Sequence, residues 1–254
     1  MIVGLIQADI KPHKVDFNLW HYEKLIAESI TQPVDLLIFP EMFACGFSAD
    51  LKEEAETMSG RSMDFLTHIA QKYHTEVVAT LPVLENKQLF NRLVWLSENE
   101  ILGQYDKRHL FLGDEQNLCT PGTHREIVTS HGHNFLPLTC FDARFPVWSR
   151  NRVINNNLEY DCLLFLTNFP APREKVLRSL CIARAIENQA YVLVVNRIGE
   201  DGNGHEHFGG SAVISPEGEI LQAAGFNQEQ IVLQTLDFDK LSDIRSRFPV
   251  FKQW

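Results

Sequence analysis

The stretch Leu138-Thr139-Cys140-Phe141-Asp142-Ala143-Arg144-Phe145-Pro146-Val147-Trp148 joins an apolar run to a helix start through a charged turn, and the layout of the chain is read outward from it. Phe135 to Leu138 reads as a short buried strand. Pro146 suits the first turn of a helix expected over about Val147 to Asn155, because a helix start has no use for the N–H that proline lacks. Cys140 then stands at a strand end beside a positive helix terminus, a placement that favours thiolate over thiol and suits a nucleophile. The alternative is a buried cysteine acting as a small apolar residue, the commoner fate of the residue type. The remaining strand ends decide between the two.

The chain has 254 residues, enough for one large α/β domain, and 44% of them are hydrophobic, an ordinary globular share. No apolar stretch approaches the roughly 18 residues that a membrane span needs. The start, Met1-Ile2-Val3-Gly4, enters a strand pattern without a basic leader, so a cytoplasmic location is expected. Five cysteines, at 45, 119, 140, 162 and 181, show no CxxC spacing, which argues against a disulfide framework or a structural zinc site. A net charge of −10 without a basic stripe argues against nucleic acid as a partner.

Ile2 to Ala8 makes the first strand, and Asp16 is the expected N-cap of a helix from about Phe17 to Ser29. Leu36 to Phe39 forms a second strand that delivers Glu41 at its C-terminal end, the edge where open α/β sheets bind ligands. A helix over Ser62 to Tyr73, a strand over Val77 to Leu81, and an antiparallel hairpin of Leu89–Ser97 with Ile101–Tyr105 follow. The hairpin ends in Tyr105-Asp106-Lys107-Arg108-His109-Leu110-Phe111, so a second strand end delivers charge. Each of Glu41 and Lys107, taken alone, reads as a solvated loop residue. With Cys140 they make three charged or reactive strand ends.

In the second half, strands over Asp161–Asn168 and Tyr191–Asn196 flank a helix from about Arg173 to Asn188, repeating a β-α-β unit. Gly210–Ile214, Glu219–Ala223 and Ile231–Gln234 are three short strands expected to close the second sheet. Asp237 caps a last short helix, and the tail from Phe248 to Trp254 is apolar enough to dock. Two signals are set aside. Gly199-Glu200-Asp201-Gly202-Asn203-Gly204 lacks the following amphipathic helix of a dinucleotide fingerprint and reads as a flexible loop. The pairs His131/His133 and His205/His207 lack further ligands at metal-binding spacing and read as loop histidines.

Glu41 in Phe39-Pro40-Glu41, Lys107 in its strand-end segment, and Cys140 in Cys140-Phe141-Asp142-Ala143-Arg144-Phe145-Pro146 occur in the order and settings of the nitrilase superfamily, which this sequence resembles. The similarity extends through Ala183-Arg184-Ala185-Ile186-Glu187-Asn188-Gln189-Ala190-Tyr191, Val195-Asn196-Arg197 and Gly210-Ser211, nearly the whole chain. Phe145-Pro146-Val147-Trp148-Ser149-Arg150-Asn151 and Asn168-Phe169-Pro170-Ala171-Pro172-Arg173 look most like the omega-amidase branch. The resemblance implies an α/β fold, a four-layer α-β-β-α sandwich with two mixed sheets. It also implies a single carbon-nitrogen hydrolase domain over residues 1–254, no cofactor or metal, and a homodimer built through the outer helices.

For the site, the resemblance implies Cys140 as nucleophile, Glu41 as proton carrier, and Lys107 with the Phe141 backbone N–H at the oxyanion. Glu115 matches the family's second glutamate and would orient Lys107 or the substrate. The expected substrate is a short 2-oxo dicarboxylate monoamide such as 2-oxoglutaramate or 2-oxosuccinamate. Arg173 is the candidate grip on the far carboxylate, since a guanidinium holds a carboxylate in bidentate fashion. A deaminated peptide amide or a nitrile is the alternative substrate, and a non-catalytic binding protein the more distant alternative. Phe141 and Phe169 replace the family's usual Tyr and Trp.

Overall fold

Alternation along the strands sorts side chains into two cores. In a computed structural model of the chain, which describes residues 1–48 and 50–253, Val3, Leu5, Leu36, Ile38 and Val78 face a second sheet. Their neighbours Ile6, Leu37, Phe39, Val77 and Ala79 face helices instead. Those helices, Val15–Ser29 and Arg61–Tyr73, bury Tyr22 and Ile26, and Phe65, Leu66 and Ile69, against the first sheet. The helix Glu174–Asn188 covers the second sheet with Leu177, Cys181 and Ala185. Between the sheets, Trp95 meets Phe135 edge to face at 5.2 Å. Each large apolar side chain so buried contributes about 1.5–3 kcal/mol relative to exposure. The layers are those of an α-β-β-α sandwich.

The first sheet runs Gln230–Thr235, Ile2–Gln7, Leu36–Ile38, Glu76–Glu85, Gln88–Leu96, Ile101–Asp106, with Ile2–Gln7, Leu36–Ile38 and Glu76–Glu85 parallel and the other pairings antiparallel. The second runs Ile220–Ala223, Ala212–Ile214, Tyr191–Asn196, Cys162–Thr167, His133–Thr139, Val128–Ser130, again with three parallel strands inside it. Parallel strands gather their C-terminal ends along one edge. Glu41 follows Leu36–Ile38, Cys140 follows His133–Thr139, and Asn168 follows Cys162–Thr167. Two antiparallel turns bring the end of Ile101–Asp106, and with it Lys107, to the same edge.

Several expectations are corrected. Gln230–Thr235 belongs to the first sheet, not the second, pairing with Ile2–Gln7 over a full six-residue register from Ile2↔Thr235 to Gln7↔Gln230. That pairing satisfies the open edge of the first strand, which a reading of neighbours along the chain does not anticipate. The helix expected over Val147–Asn155 stops after Pro146–Ser149. Asn151 ends it, its backbone N–H donating to Asn188 Oδ1 at 2.8 Å and its side chain to the Tyr160 carbonyl at 2.8 Å. Asn155 and Asn156 then adopt left-handed φ values of 51° and 64° in a small hairpin. Asp16 lies in the first turn of its helix rather than at the cap, and pairs with Arg61 Nη1 at 2.8 Å. Asp237 does cap its helix, accepting the Lys240 N–H at 3.0 Å. In the tail, Phe248 is 69% exposed; Ala49 and Trp254 lie outside the described residues. No helix among the described residues is long and apolar enough to cross a membrane.

Candidate active site

Cys140 opens a five-residue 3-10 turn, Cys140–Arg144, with its own φ at +43°. A non-glycine residue there carries strain that its surroundings must hold. Asp142, fully buried, does the holding. Its Oδ2 accepts the Thr139 N–H at 3.1 Å and the Tyr105 hydroxyl at 2.7 Å, while Oδ1 lies 3.0 Å from the His109 backbone nitrogen and 2.7 Å from His109 Nδ1. The His109 ring stacks on Phe145 at 3.7 Å, so the turn is clamped from the lysine-bearing segment. Met42, directly after Glu41, is also left-handed at φ 52°, its N–H held by Thr80 Oγ1 at 2.8 Å. The Glu41 N–H reaches across to the Thr167 carbonyl of the other sheet at 3.4 Å.

The side chains converge. Lys107 Nζ lies 2.8 Å from Glu41 Oε1 and 2.8 and 3.0 Å from Glu115 Oε2 and Oε1, with all three residues about 1% exposed. Glu115, on the short helix Asp114–Leu118, also accepts the Phe111 N–H at 2.6 Å. Glu41 and Cys140 lie close enough for each to shift the titration of the other. Glu41, Lys107 and Cys140 line one cavity of about 120 Å³ with Phe111, Phe141 and Arg173. The structure thus brings Phe141 and Arg173 to the same cavity, and sets Glu115 behind Lys107 rather than on the cavity wall.

Electrostatics correct one expectation. Burial pushes the Cys140 thiol well above its ordinary range, the Glu41 carboxylate adds to this, and Lys107 opposes it. The turn after Cys140 is too short to be the helix terminus expected from the sequence, and the thiol is the favoured resting form. Burial also raises Glu41, against Lys107 and with Glu115. For Lys107, burial disfavours the ammonium, but Glu115 and Glu41 outweigh it and hold the group charged. A charged lysine, a carboxylate in reach of a thiol, and a narrow cavity can together move one proton and stabilise one new anion.

Phe141 and Phe169 fit where Tyr and Trp were expected. Phe141 packs edge to face on Phe111 at 5.4 Å and on Phe145 at 5.3 Å, and Phe169 is buried with its backbone N–H on Asn196 Oδ1 at 2.9 Å. Three features of the site go beyond the sequence reading. Asn91 bridges the two glutamates. Asn168 lines the cavity with both polar side-chain atoms buried and unpartnered. The segment read as a flexible loop is a hairpin, Ile198–Glu200 with Glu206–Phe208, that places Asp201, His205 and the buried His207 on the cavity wall. A strand-end position was the available signal for Asn168, and a polar residue interrupting Leu89-Phe90-Asn91-Arg92-Leu93 that for Asn91.

His207 carries a pH prediction. Burial, reinforced by Arg197, lowers it from 6.5 to about 4, so it is buried neutral. The unfolded chain gains a proton below pH 6.5 that the folded chain refuses until about pH 4, so stability present above pH 6.5 is lost across that window. Thermal melting should show the loss, on the order of 3 kcal/mol, and His207→Gln should flatten that part of the pH dependence. A slope between pH 6.5 and 4 that is the same in His207→Gln overturns the assignment.

The carbon-nitrogen hydrolase family model matches residues 2–246. The chain belongs to the carbon-nitrogen hydrolase family. Omega-amidase YafV of Escherichia coli (strain K12) is 37% identical over 236 residues, covering 92% of this chain and 89% of that protein. A 2-oxoglutaramate amidase of Bacillus subtilis (strain 168) is 31% identical over 253 residues, 98% of this chain and 95% of that one. Among solved structures, XC1258 of Xanthomonas campestris, a CN-hydrolase superfamily protein with an arsenic adduct in the active site, superposes with a TM-score of 0.96 at 34% identity, covering 100% of this chain and 97% of that one. This carbon-nitrogen hydrolase is therefore an amidase of the nitrilase superfamily, a hydrolase of carbon–nitrogen bonds other than peptide bonds. Among the described residues no group of three or more His, Cys, Asp or Glu side chains is arranged to hold a metal ion.

Proposed function

We propose that this carbon-nitrogen hydrolase cleaves the terminal amide of small 2-oxo dicarboxylate monoamides, of the 2-oxoglutaramate and 2-oxosuccinamate class, to the 2-oxo diacid and ammonia. The observation that carries the reading is one small cavity lined by Cys140, Glu41 and Lys107 together with Arg173. Glu41 takes the thiol proton as sulfur attacks the amide carbon. The tetrahedral oxyanion is met by the Lys107 charge and the Phe141 backbone N–H, each such donor contributing about 3 kcal/mol in comparable sites. Glu41 returns its proton to the amide nitrogen, the C–N bond breaks and ammonia leaves. Water then loses a proton to Glu41 and attacks the thioester, and the proton returns to sulfur as the diacid departs. Glu115 keeps Lys107 in place. The working assembly is proposed to be a cytoplasmic homodimer of single-domain subunits.

Arg173 is the proposed grip on the far carboxylate. Its guanidinium lies 5.0 Å from the Phe111 ring centroid, a contact that preorganises a planar cation at the cavity wall. A protein of net charge −10 needs such a local cation to hold the carboxylate of an anionic substrate. Similarity to proteins named omega-amidase and 2-oxoglutaramate amidase supports the same substrate class.

Steady-state ammonia release from 2-oxoglutaramate, glutamine, deaminated glutathione and a simple aliphatic nitrile tests the reading. The 2-oxo monoamide should have the highest kcat/KM, and Arg173→Ala should raise its KM by about 10–100-fold with a smaller change in kcat. A higher kcat/KM for glutamine or the nitrile defeats the substrate assignment while leaving the cysteine chemistry standing.

A further inference from the structure

Asn91 sits in the strand Gln88–Leu96, 1% exposed, and its backbone oxygen accepts the Lys107 N–H at 2.9 Å. Its side chain spans the two glutamates. Nδ2 donates to Glu41 Oε1 at 2.9 Å and to Glu115 Oε1 at 2.7 Å, so both N–H bonds of one neutral amide are used on carboxylates. Lys107 Nζ engages the same Glu41 oxygen at 2.8 Å. Both oxygens of Glu115 are engaged, Oε1 by Asn91 and Lys107, Oε2 by Lys107 and the Phe111 N–H. On Glu41, Asn91 and Lys107 both use Oε1, and neither takes Oε2.

The residue type matters. Two buried carboxylates share one ammonium here, and an amide supplies two more donors without adding charge. An aspartate at 91 would set a third carboxylate against the same lysine. A leucine of similar size would leave both Oε1 atoms short of a donor on side chains that are about 1% exposed. Turning the amide over would aim Oδ1, which has no hydrogen-bond partner, at two carboxylates, so the orientation is dictated by the charges around it.

We infer that Asn91 is a positioning residue that makes the two glutamates unequal: by holding Oε1 of each, it keeps Glu115 with Lys107 and leaves Glu41 Oε2 as the oxygen that exchanges a proton with Cys140. The inference rests on the reading of Glu41 as proton carrier. The titratable groups facing Glu41 are Lys107 after the strand Ile101–Asp106, Glu115 from the helix Asp114–Leu118, Cys140 from its turn and, farther off, Cys119. With those unchanged, removing the amide removes a bond that favours the Glu41 anion, already raised by burial.

The test is the pH dependence of kcat/KM for ammonia release from 2-oxoglutaramate in the unmodified enzyme, Asn91→Leu, Asn91→Ser and Glu41→Gln, with melting temperatures alongside. The acid limb reports the free enzyme's base. In both Asn91 variants that limb should move to higher pH by about one unit, a tenfold loss at a pH on the limb, with a smaller loss on the plateau and KM nearly unchanged. A uniform loss with the limb in its original place overturns the inference, since a merely structural residue lowers the curve without sliding it. Failure of both Asn91 variants to fold also overturns it, by making Asn91 a folding residue. An acid limb that survives in Glu41→Gln defeats the underlying reading of Glu41 instead, whatever the Asn91 variants do.

Discussion

Cys140→Ala should release no measurable ammonia, a loss of at least about 10³-fold, while Cys45→Ala, Cys119→Ala and Cys181→Ala keep most of the activity. Thiolate content is not what separates them. Burial pushes Cys119 and Cys181 up to about 12, and Cys45 and Cys140 are raised as well. What Cys140 has in addition is a neighbouring carboxylate, Glu41, and the Lys107 charge, together at the wall of a cavity. In the proposed mechanism its thiolate is made on demand, as the bond to carbon forms, rather than stored. Ammonia detection on the four variants checks this, and substantial turnover by Cys140→Ala would sink the thioester mechanism. Iodoacetamide followed by peptide mass analysis gives a second readout, with Cys140 expected to label first.

The same physics explains which parts of the molecule could be read from its residues. Strands announced themselves where apolar side chains serve two faces, as in Leu36-Leu37-Ile38-Phe39, and the strand ends carrying Glu41, Lys107 and Cys140 followed from them. Their convergence did not, because it depends on which strands are parallel, and only the family resemblance supplied it. The sequence pattern places Ile231–Gln234 in the wrong sheet because its partner, Ile2–Gln7, lies more than two hundred residues away, where local pattern holds no information about register. The helix after Pro146 was drawn too long because Asn151 acts through tertiary bonds to Asn188 and Tyr160. Asn91 gives no signal, and His207 reads only as a loop histidine, for a related reason. A single polar residue in a strand or hairpin means little until its neighbours are known, and theirs are a glutamate pair and a cavity wall.

Glu41→Gln should slow acylation by about 10²–10⁴-fold, whereas Glu115→Gln should retain more of it. Glutamine keeps the shape of Glu41 and an oxygen for Lys107, but it cannot take the Cys140 proton or hand it to the departing nitrogen. Glu115 meets Lys107 through both oxygens, at 2.8 and 3.0 Å, and its replacement loosens that cation without removing the proton carrier. The two variants also differ in charge in the same way, each removing one of the two carboxylates that outweigh burial to hold Lys107 protonated. A shared electrostatic effect would therefore lower both alike, and the excess loss in Glu41→Gln isolates proton transfer. Rapid-quench mass spectrometry of the covalent intermediate separates acylation from hydrolysis of the thioester. Equal and complete loss of acylation in both variants would show that base and lysine anchor are one unit, and the division of labour between the glutamates would fall.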